Sequence, residues 1–270
     1  MDKTMKAEQV VAMLSKGMIE PKITVVGCGG AGNNIVQSIY SGCRSNVETV
    51  AVNTDERKLA EIGAHKKVFI GKDITEGKGA NGFPEVGEYC AECARPTFKK
   101  MLSGSDIVIV VAGMGGGTGT GVAPIVAEVS KELDAVTFAI AINPFSFETD
   151  RVKKASDGVK RLQAVTSNTI VFNNDRLLEL AGDCTVSESF AIVERSIMRI
   201  IDSLCAQISE SFLSSIAPEV EEIFQSIEDV PETVAPMQVA PMMAPAEMMQ
   251  ASATGIGPKM PEIGNTLMVR

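Results

Sequence analysis

The chain has 270 residues, 45% of them hydrophobic, enough for one large or two modest domains with a real core. A formal net charge of −9 disfavours non-specific nucleic-acid binding and leaves basic partners open. Neither a run of about 18 apolar residues nor a charged-then-apolar leader occurs, so no transmembrane segment is read and a cytoplasmic location is expected.

Residues 1–20 are expected to carry a short helix at 5–18. From residue 21, strand-like runs alternate with helical patterns. Residues 22–26, 47–52, 67–70, 106–112, 135–142 and 168–172 read as strands, mostly continuous and rich in Val and Ile. Continuous hydrophobicity implies burial on both faces, as in a parallel sheet covered by helices. Helix candidates lie at 31–42, 55–62, 86–102, 121–133, 150–165 and 174–181. This βαβα order predicts an α/β domain over 21–184, a doubly wound, mostly parallel sheet with its ligand at the carboxyl ends of the strands.

The first strand runs into Gly27-Cys-Gly-Gly-Ala-Gly32, which satisfies GxGxxG and raises an NAD-dependent oxidoreductase. The ribose-binding acid of that fold would fall near Asn53, which is not acidic, and Asp55 comes two residues late. A second glycine run, positions 113–121, follows the fourth strand with six glycines and two threonines in nine residues. Glycine gives a core no side chain, so such a run marks close backbone approach. Joined to a helix N-terminus it offers N–H groups and a positive helix end to one point, an anion cradle suited to phosphate. A dinucleotide-binding domain has no use for this second loop, and GxxxxGK[ST] is absent.

Cysteines at 28, 43, 90, 93, 184 and 205 are scattered, as reduced thiols are. Cys90 and Cys93 form a lone CxxC inside a helix candidate, read as two small buried side chains ahead of half a zinc site. His65 is the only histidine, so no metal site and no histidine catalysis are expected. From residue 186, Phe190, Val193, Ile197, Ile201, Leu204 and Ile208 form an apolar stripe at spacings of three and four. Residues 185–230 are read as this long helix plus a short packing helix opened by Pro218. The Met/Pro-rich segment 231–270 is expected to be disordered. Its apolar end reads as a peptide ligand for a partner or as an inert tail.

The loop at 115–121 resembles the signature of the tubulin/FtsZ family of GTPases, closer to FtsZ than to tubulin. Residues 27–33, Asn53-Thr-Asp55, Pro84-Glu-Val-Gly87, Pro144-Phe-Ser-Phe-Glu148 and residues 174–178 resemble FtsZ segments in the family's order, covering about residues 20–210. The resemblance implies GTP or GDP with Mg²⁺ as ligand. It places Gly29, Gly30 and Ala31 against the phosphates and Asn33 at the guanine. Gly115, Gly116, Gly117 and Gly119 would donate backbone N–H groups to the outer phosphates, with Thr118 and Thr120 adding hydroxyls. Gly79 and Ala80 would close over the γ-phosphate, although the family's GAGAN reads GANGF here. Glu148 would accept from the ribose, Arg151 would reach phosphate, Asn174 would bond the base and Phe190 would stack on it. Glu188 stands where the family has an aspartate that accepts from guanine; a solvated glutamate near a helix start is the other reading.

In FtsZ the central helix ends in a loop carrying Asn-x-Asp-x-x-Asp, whose acids position the attacking water on the next subunit's GTP. Ala217 and Val220 stand in those places here, and the family's second domain is not found after them. The resemblance therefore implies a GTP-binding protein of the cytoskeleton or division machinery with no catalytic residues of its own and little self-activated hydrolysis. Its partner would be an FtsZ-type protein, or another copy, on the nucleotide face. A self-polymerising GTPase is the alternative.

Overall fold

The computed structural model describes residues 21–42, 47–176 and 185–228. The expected N-terminal helix, the tail at 231–270 and its peptide-like end lie outside these residues, as does the helix candidate at 174–181 beyond residue 176. The chain divides into two compact units, Met1–Glu222 and Ile223–Arg270. The sheet belongs to the first.

Six strands appear where the apolar runs placed them, shifted by one or two residues. They are β1 (Ile23–Cys28), β2 (Val47–Asn53), β3 (Lys66–Phe69), β4 (Ile107–Gly113), β5 (Val136–Asn143) and β6 (Thr169–Asn173). Every pairing is parallel, and the spatial order is β3-β2-β1-β4-β5-β6. Chain order reverses between β1 and β4, as in a doubly wound sheet.

The helices are α1 (Gly29–Gly42), α2 (Glu56–Glu61), α3 (Lys72–Thr75), α4 (Pro84–Cys93), α5 (Arg95–Leu102), α6 (Gly117–Glu132), α7 (Thr149–Val165) and α8 (Val186–Glu228). Alternation along the central strands sends successive side chains to opposite faces, which fills two cores. Val108, Val110 and Ala112 of β4 face Phe98, Leu102, Val122, Val126 and Leu162 of α5, α6 and α7. Ile107, Ile109 and Val111 face Ile35, Val36 and Ile39 of α1 and Val193, Ile197 and Ile201 of α8. The stripe read from the sequence is thus, at Val193, Ile197 and Ile201, the face α8 turns to the sheet. Among the described residues, no helix is long and apolar enough to cross a membrane.

Three elements differ from the sequence pattern. The single helix expected over 86–102 is two, because Pro96 has no N–H for the carbonyl four residues back; the chain breaks at Ala94 and restarts. The turn α3 carries no periodicity and is set between left-handed Gly71 and Glu76. A break ahead of Pro218 does not occur, and α8 runs through it as one helix. An interior proline removes one hydrogen bond and costs about 3 kcal/mol.

Helices α4 and α6 meet along a seam of glycines. A Cβ at Gly121 would lie 2.2 Å from the Pro84 carbonyl oxygen, and one at Gly87 would lie 2.4 Å from that of Gly117. Neither obstacle is a side chain that can swing away. Gly121→Ala is therefore expected to cost about 2 kcal/mol, lowering Tm by roughly 4–8 °C in a thermal melt. An unchanged Tm would mean that the two helices have room to separate.

Candidate nucleotide-binding site

Both glycine-rich segments leave the sheet where its order reverses. Residues 29–32 open α1 directly after β1, and residues 113–116 connect β4 to the first turn of α6. These two strands pair in register, Cys28 opposite Ala112, so the loops lie side by side. Their glycines have two kinds of work. A Cβ on Gly32 would fall 2.2 Å from the Val111 carbonyl oxygen, and one on Gly119 would fall 2.4 Å from that of Gly113. Gly29, at φ +72°, would put its Cβ 2.7 Å from the Gly119 nitrogen. These positions let two backbones touch. Gly30 has nothing within 4 Å of an added Cβ, and Gly116 has only the Arg151 guanidinium at 3.8 Å. Those two border a space that a ligand can enter.

That space is two adjoining cavities. The smaller, about 290 Å³, lies against residues 79–82 and 116–119. The larger, about 510 Å³, is bordered by Asn33, Asn143, Glu148, Asn174, Val193 and Glu194. Gly30, Ala31, Asn53, Lys58, Gly113 and Arg151 line both.

The smaller cavity has the parts of an anion cradle. Gly116 caps α6 without a side-chain hydrogen bond, so the N–H groups of the first turn carry no capping partner and the positive helix end faces the opening. Thr118 Oγ1 stands 2.7 Å from Thr54 Oγ1, tying the loop to the end of β2. Thr120 is buried, and its hydroxyl accepts from the Gly115 N–H at 2.9 Å, so it shapes the turn and does not line the cavity. Gly115, at φ +87°, packs against the Arg151 backbone. Gly79, Asn81 and Gly82 all have positive φ, and Gly79 donates to the Thr54 carbonyl at 3.2 Å. Ala80 is buried against Gly117, which brings this turn down beside the α6 N-terminus.

The larger cavity is rich in acceptors. Asn33 Nδ2 donates to the Val52 carbonyl at 3.2 Å, which leaves its Oδ1 buried without a partner. Asn143 Oδ1 and Asn174 Oδ1 are in the same position. Buried acceptors without partners are rare, and three beside one cavity fit a ligand that brings N–H donors. Glu194, on the first turns of α8, accepts from the Ser38 hydroxyl, and burial pushes its carboxyl up from the usual range. Glu148 caps α7, accepts from the Phe145 N–H at 3.0 Å and pairs with Arg151.

Of the residues singled out in the sequence, Gly30, Ala31, Asn33, Gly79, Ala80, Gly116, Gly117, Thr118, Gly119, Glu148, Arg151 and Asn174 come together here. Gly29, Gly115 and Thr120 shape the loops from behind. Phe190 lies on α8, its side chain outside the described residues. Glu188 is elsewhere. Its carboxylate accepts from the Thr185 N–H at 2.8 Å and the Thr185 hydroxyl at 2.7 Å, which holds it below the usual carboxylate range. The Glu188 N–H returns to Thr185 Oγ1 at 3.3 Å, completing a capping box. The α8 acid on the cavity is Glu194, next to Val193 of the core stripe; the Thr185-x-x-Glu188 capping-box pattern is the signal that separates it from Glu188. Asn143 and Lys58 were also missed, since nothing in their local spacing marks them, and Asn53, noted only within the Asn53-Thr-Asp55 segment, had been given no role at the ligand.

The Tubulin/FtsZ family GTPase-domain model matches residues 22–182. Among curated proteins, cell division protein FtsZ 2 of Methanocaldococcus jannaschii is 41% identical over 73% of this chain and 52% of its own length. The chain thus spans about half the length of the curated relatives it matches. An FtsZ dimer structure from M. jannaschii, empty, superposes with a TM-score of 0.71 at 36% identity, covering 76% of this chain and 59% of that one. The GTPγS-bound protofilament of CetZ2 from Haloferax volcanii gives 0.64 at 26% identity, over 70% and 59%.

The two glutamates make separable predictions. Glu194→Ala is expected to weaken binding of the ligand's base about tenfold or more, the range for a hydrogen bond to a charged group. Glu188→Ala should weaken only the start of α8. Titration calorimetry with guanine nucleotides on both variants distinguishes them, and equal losses would return Glu188 to the site.

Proposed function

The chain belongs to the tubulin/FtsZ family, and from that premise we propose that it binds GTP and GDP in this crevice, with weak or no self-activated hydrolysis. The base occupies the larger cavity and the phosphates the smaller one. The observation that carries the reading is the division of labour between these cavities, donors at the α6 N-terminus and acceptors around Asn33, Asn174 and Glu194. Guanine presents N1–H and an amino group side by side, and a carboxylate accepts both. Among the described residues no group of three or more His, Cys, Asp or Glu could hold a metal, so Mg²⁺ would ride on the phosphates.

An NAD site has less support. Asp55, the nearest acid to the end of β2, caps α2 by accepting from the Lys58 N–H at 3.0 Å. The second loop, at β4, also has no role in that reading. Weak hydrolysis rests on residues 211–220, which lie within α8 and carry Ala217 and Val220 where water-orienting acids belong. Phosphoryl transfer depends on orientation and charge placement, so nucleotide can bind without being turned over. The protein acts in the cytoplasm and engages an FtsZ-type subunit, or a second copy, across the nucleotide face. In the self-polymerising alternative, phosphate release per molecule rises steeply with protein concentration; flat, low release supports the binding module.

Gly116→Asp tests the phosphate assignment without touching the fold. Gly116 has φ −89° and ψ 174°, open to any residue, and its Cβ would enter the cavity. The expected outcome is an unchanged melt and loss of GTP binding by calorimetry, because a carboxylate replaces the phosphate beside Arg151. Undiminished affinity would place the phosphates elsewhere. A pH series tests the base end. Burial raises the Glu194 pKa in the free protein, and pairing with guanine donors favours the carboxylate, so binding releases a proton while Glu194 is protonated. GTP affinity should rise with pH more steeply in the wild type than in Glu194→Gln, in which only the nucleotide's own phosphate still titrates.

A further inference from the structure

Helix α7 presents a row of groups to the parts that surround the smaller cavity. The Arg151 backbone and Cβ lie against Gly115, Gly158 meets Thr120 so closely that its Cβ would fall 2.3 Å from the Thr120 methyl, and Arg161 pairs with Glu88 of α4. Between them stands Lys154. Its ammonium donates to the Gly82 carbonyl at 2.7 Å and lies 5.5 Å from the centre of the Phe83 ring. Lys154 is half-buried, whereas Lys153 beside it is exposed. Gly82 and Phe83 close the turn at 79–83, and this turn runs straight into α4 at Pro84.

At that end the turn is also held by the Phe83 N–H bond to the Ala80 carbonyl at 2.9 Å and by the Phe83 backbone against Gly117, and Lys154 adds a side-chain tie to these backbone ones. A Cβ on Gly82 would meet nothing within 4 Å, and Phe83 is 56% exposed. Its other end is fixed by the Gly79 bond to Thr54 and by Ala80 buried on Gly117. Residues 79–82 line the smaller cavity alone, the one away from Asn33, Asn174 and Glu194, so they cover the outermost phosphate of a bound nucleotide and not the base.

We propose that Lys154 is a strap that holds the 79–83 turn closed over the terminal phosphate, a positioning residue that sets how long a triphosphate stays bound. It does not line the cavity, so it acts through the turn. A charge-assisted bond to a carbonyl, with the ammonium also resting on an aromatic face, is worth enough to slow opening about tenfold. A diphosphate does not reach under the turn, and its release does not depend on the strap. Arginine at 154 keeps the charge, the donors and the stacking; methionine keeps the stem and loses all three.

The inference rests on the GTP reading above, and two measurements on the full chain keep their failures apart. The first is release of fluorescent mant-GTP and mant-GDP, chased with unlabelled nucleotide in a stopped-flow instrument, from the wild type, Lys154→Met, Lys154→Arg and the neighbouring Lys153→Met. The expected result is mant-GTP release about tenfold faster from Lys154→Met, with mant-GDP release unchanged and both other variants close to wild type. Equal acceleration of the two nucleotides, or none, overturns the strap while leaving the site intact. A wild type that holds neither nucleotide overturns the GTP reading and the strap's ligand with it. The second measurement needs no nucleotide. Hydrogen–deuterium exchange followed by mass spectrometry should show the segment 81–83 exchanging several-fold faster in Lys154→Met than in Lys153→Met. Equal exchange would mean that this end of the turn is held without Lys154.

Discussion

The contact on which the rest depends is that of two backbones, the loop after β1 and the loop after β4, meeting with no side chain between them. Gly29 against Gly119, and Gly32 against the Val111 carbonyl, set this spacing. A single Cβ at either position would push α1 away from β4 or α6 away from β1. The two helix N-termini would then no longer converge on one crevice. The same contact explains why glycine is dense here while only Gly30 and Gly116 border open space. Most of the run builds the site from behind.

Much of the fold could be read because it follows from local periodicity. Each strand is a continuous Val/Ile run, which required helices on both faces, and the described structure supplies two cores on opposite sides of β1 and β4. What could not be read came from single-residue events. Pro96 divides a helix that the apolar pattern ran together, and two left-handed residues create α3 where no pattern exists. Pro218 carried the opposite lesson, since a proline is a local cost that a long helix can absorb.

The site was legible to the extent that it is made of backbone. Glycine runs at strand ends point to close backbone approach whatever the tertiary context and, beside a helix N-terminus, to a candidate anion cradle. Side chains that converge from distant elements do not, and Asn143, Lys58 and Glu194 reach the cavity from β5, α2 and α8. The choice between Glu188 and Glu194 shows the difference most clearly. Both are acids near the start of one helix, six residues apart. Thr185 engages the first in a capping box, and the second follows Val193, which is packed on the sheet and so fixes the face that turns toward α1. Rotation about the helix axis turns Glu194 and not Glu188 to the cavity, and the core stripe sets that rotation.

The two ends of the crevice are consequently held by different kinds of force. The base end is built on α1 and on the segment of α8 whose Val193, Ile197 and Ile201 are buried in one core, so Asn33 and Glu194 move only if that core moves. Close-packed cores resist small displacements, and the base end is correspondingly rigid. The phosphate end combines a rigid wall with a light one. Its wall is the glycine contact at α6; its cover is a turn of positive-φ residues fixed by hydrogen bonds and one half-buried lysine. Hydrogen bonds at a surface are each worth about 1 kcal/mol net and open independently of the core. In the proposed GTP reading, a site arranged this way recognises its ligand with the part that cannot yield, and the part that can yield senses the length of the phosphate chain.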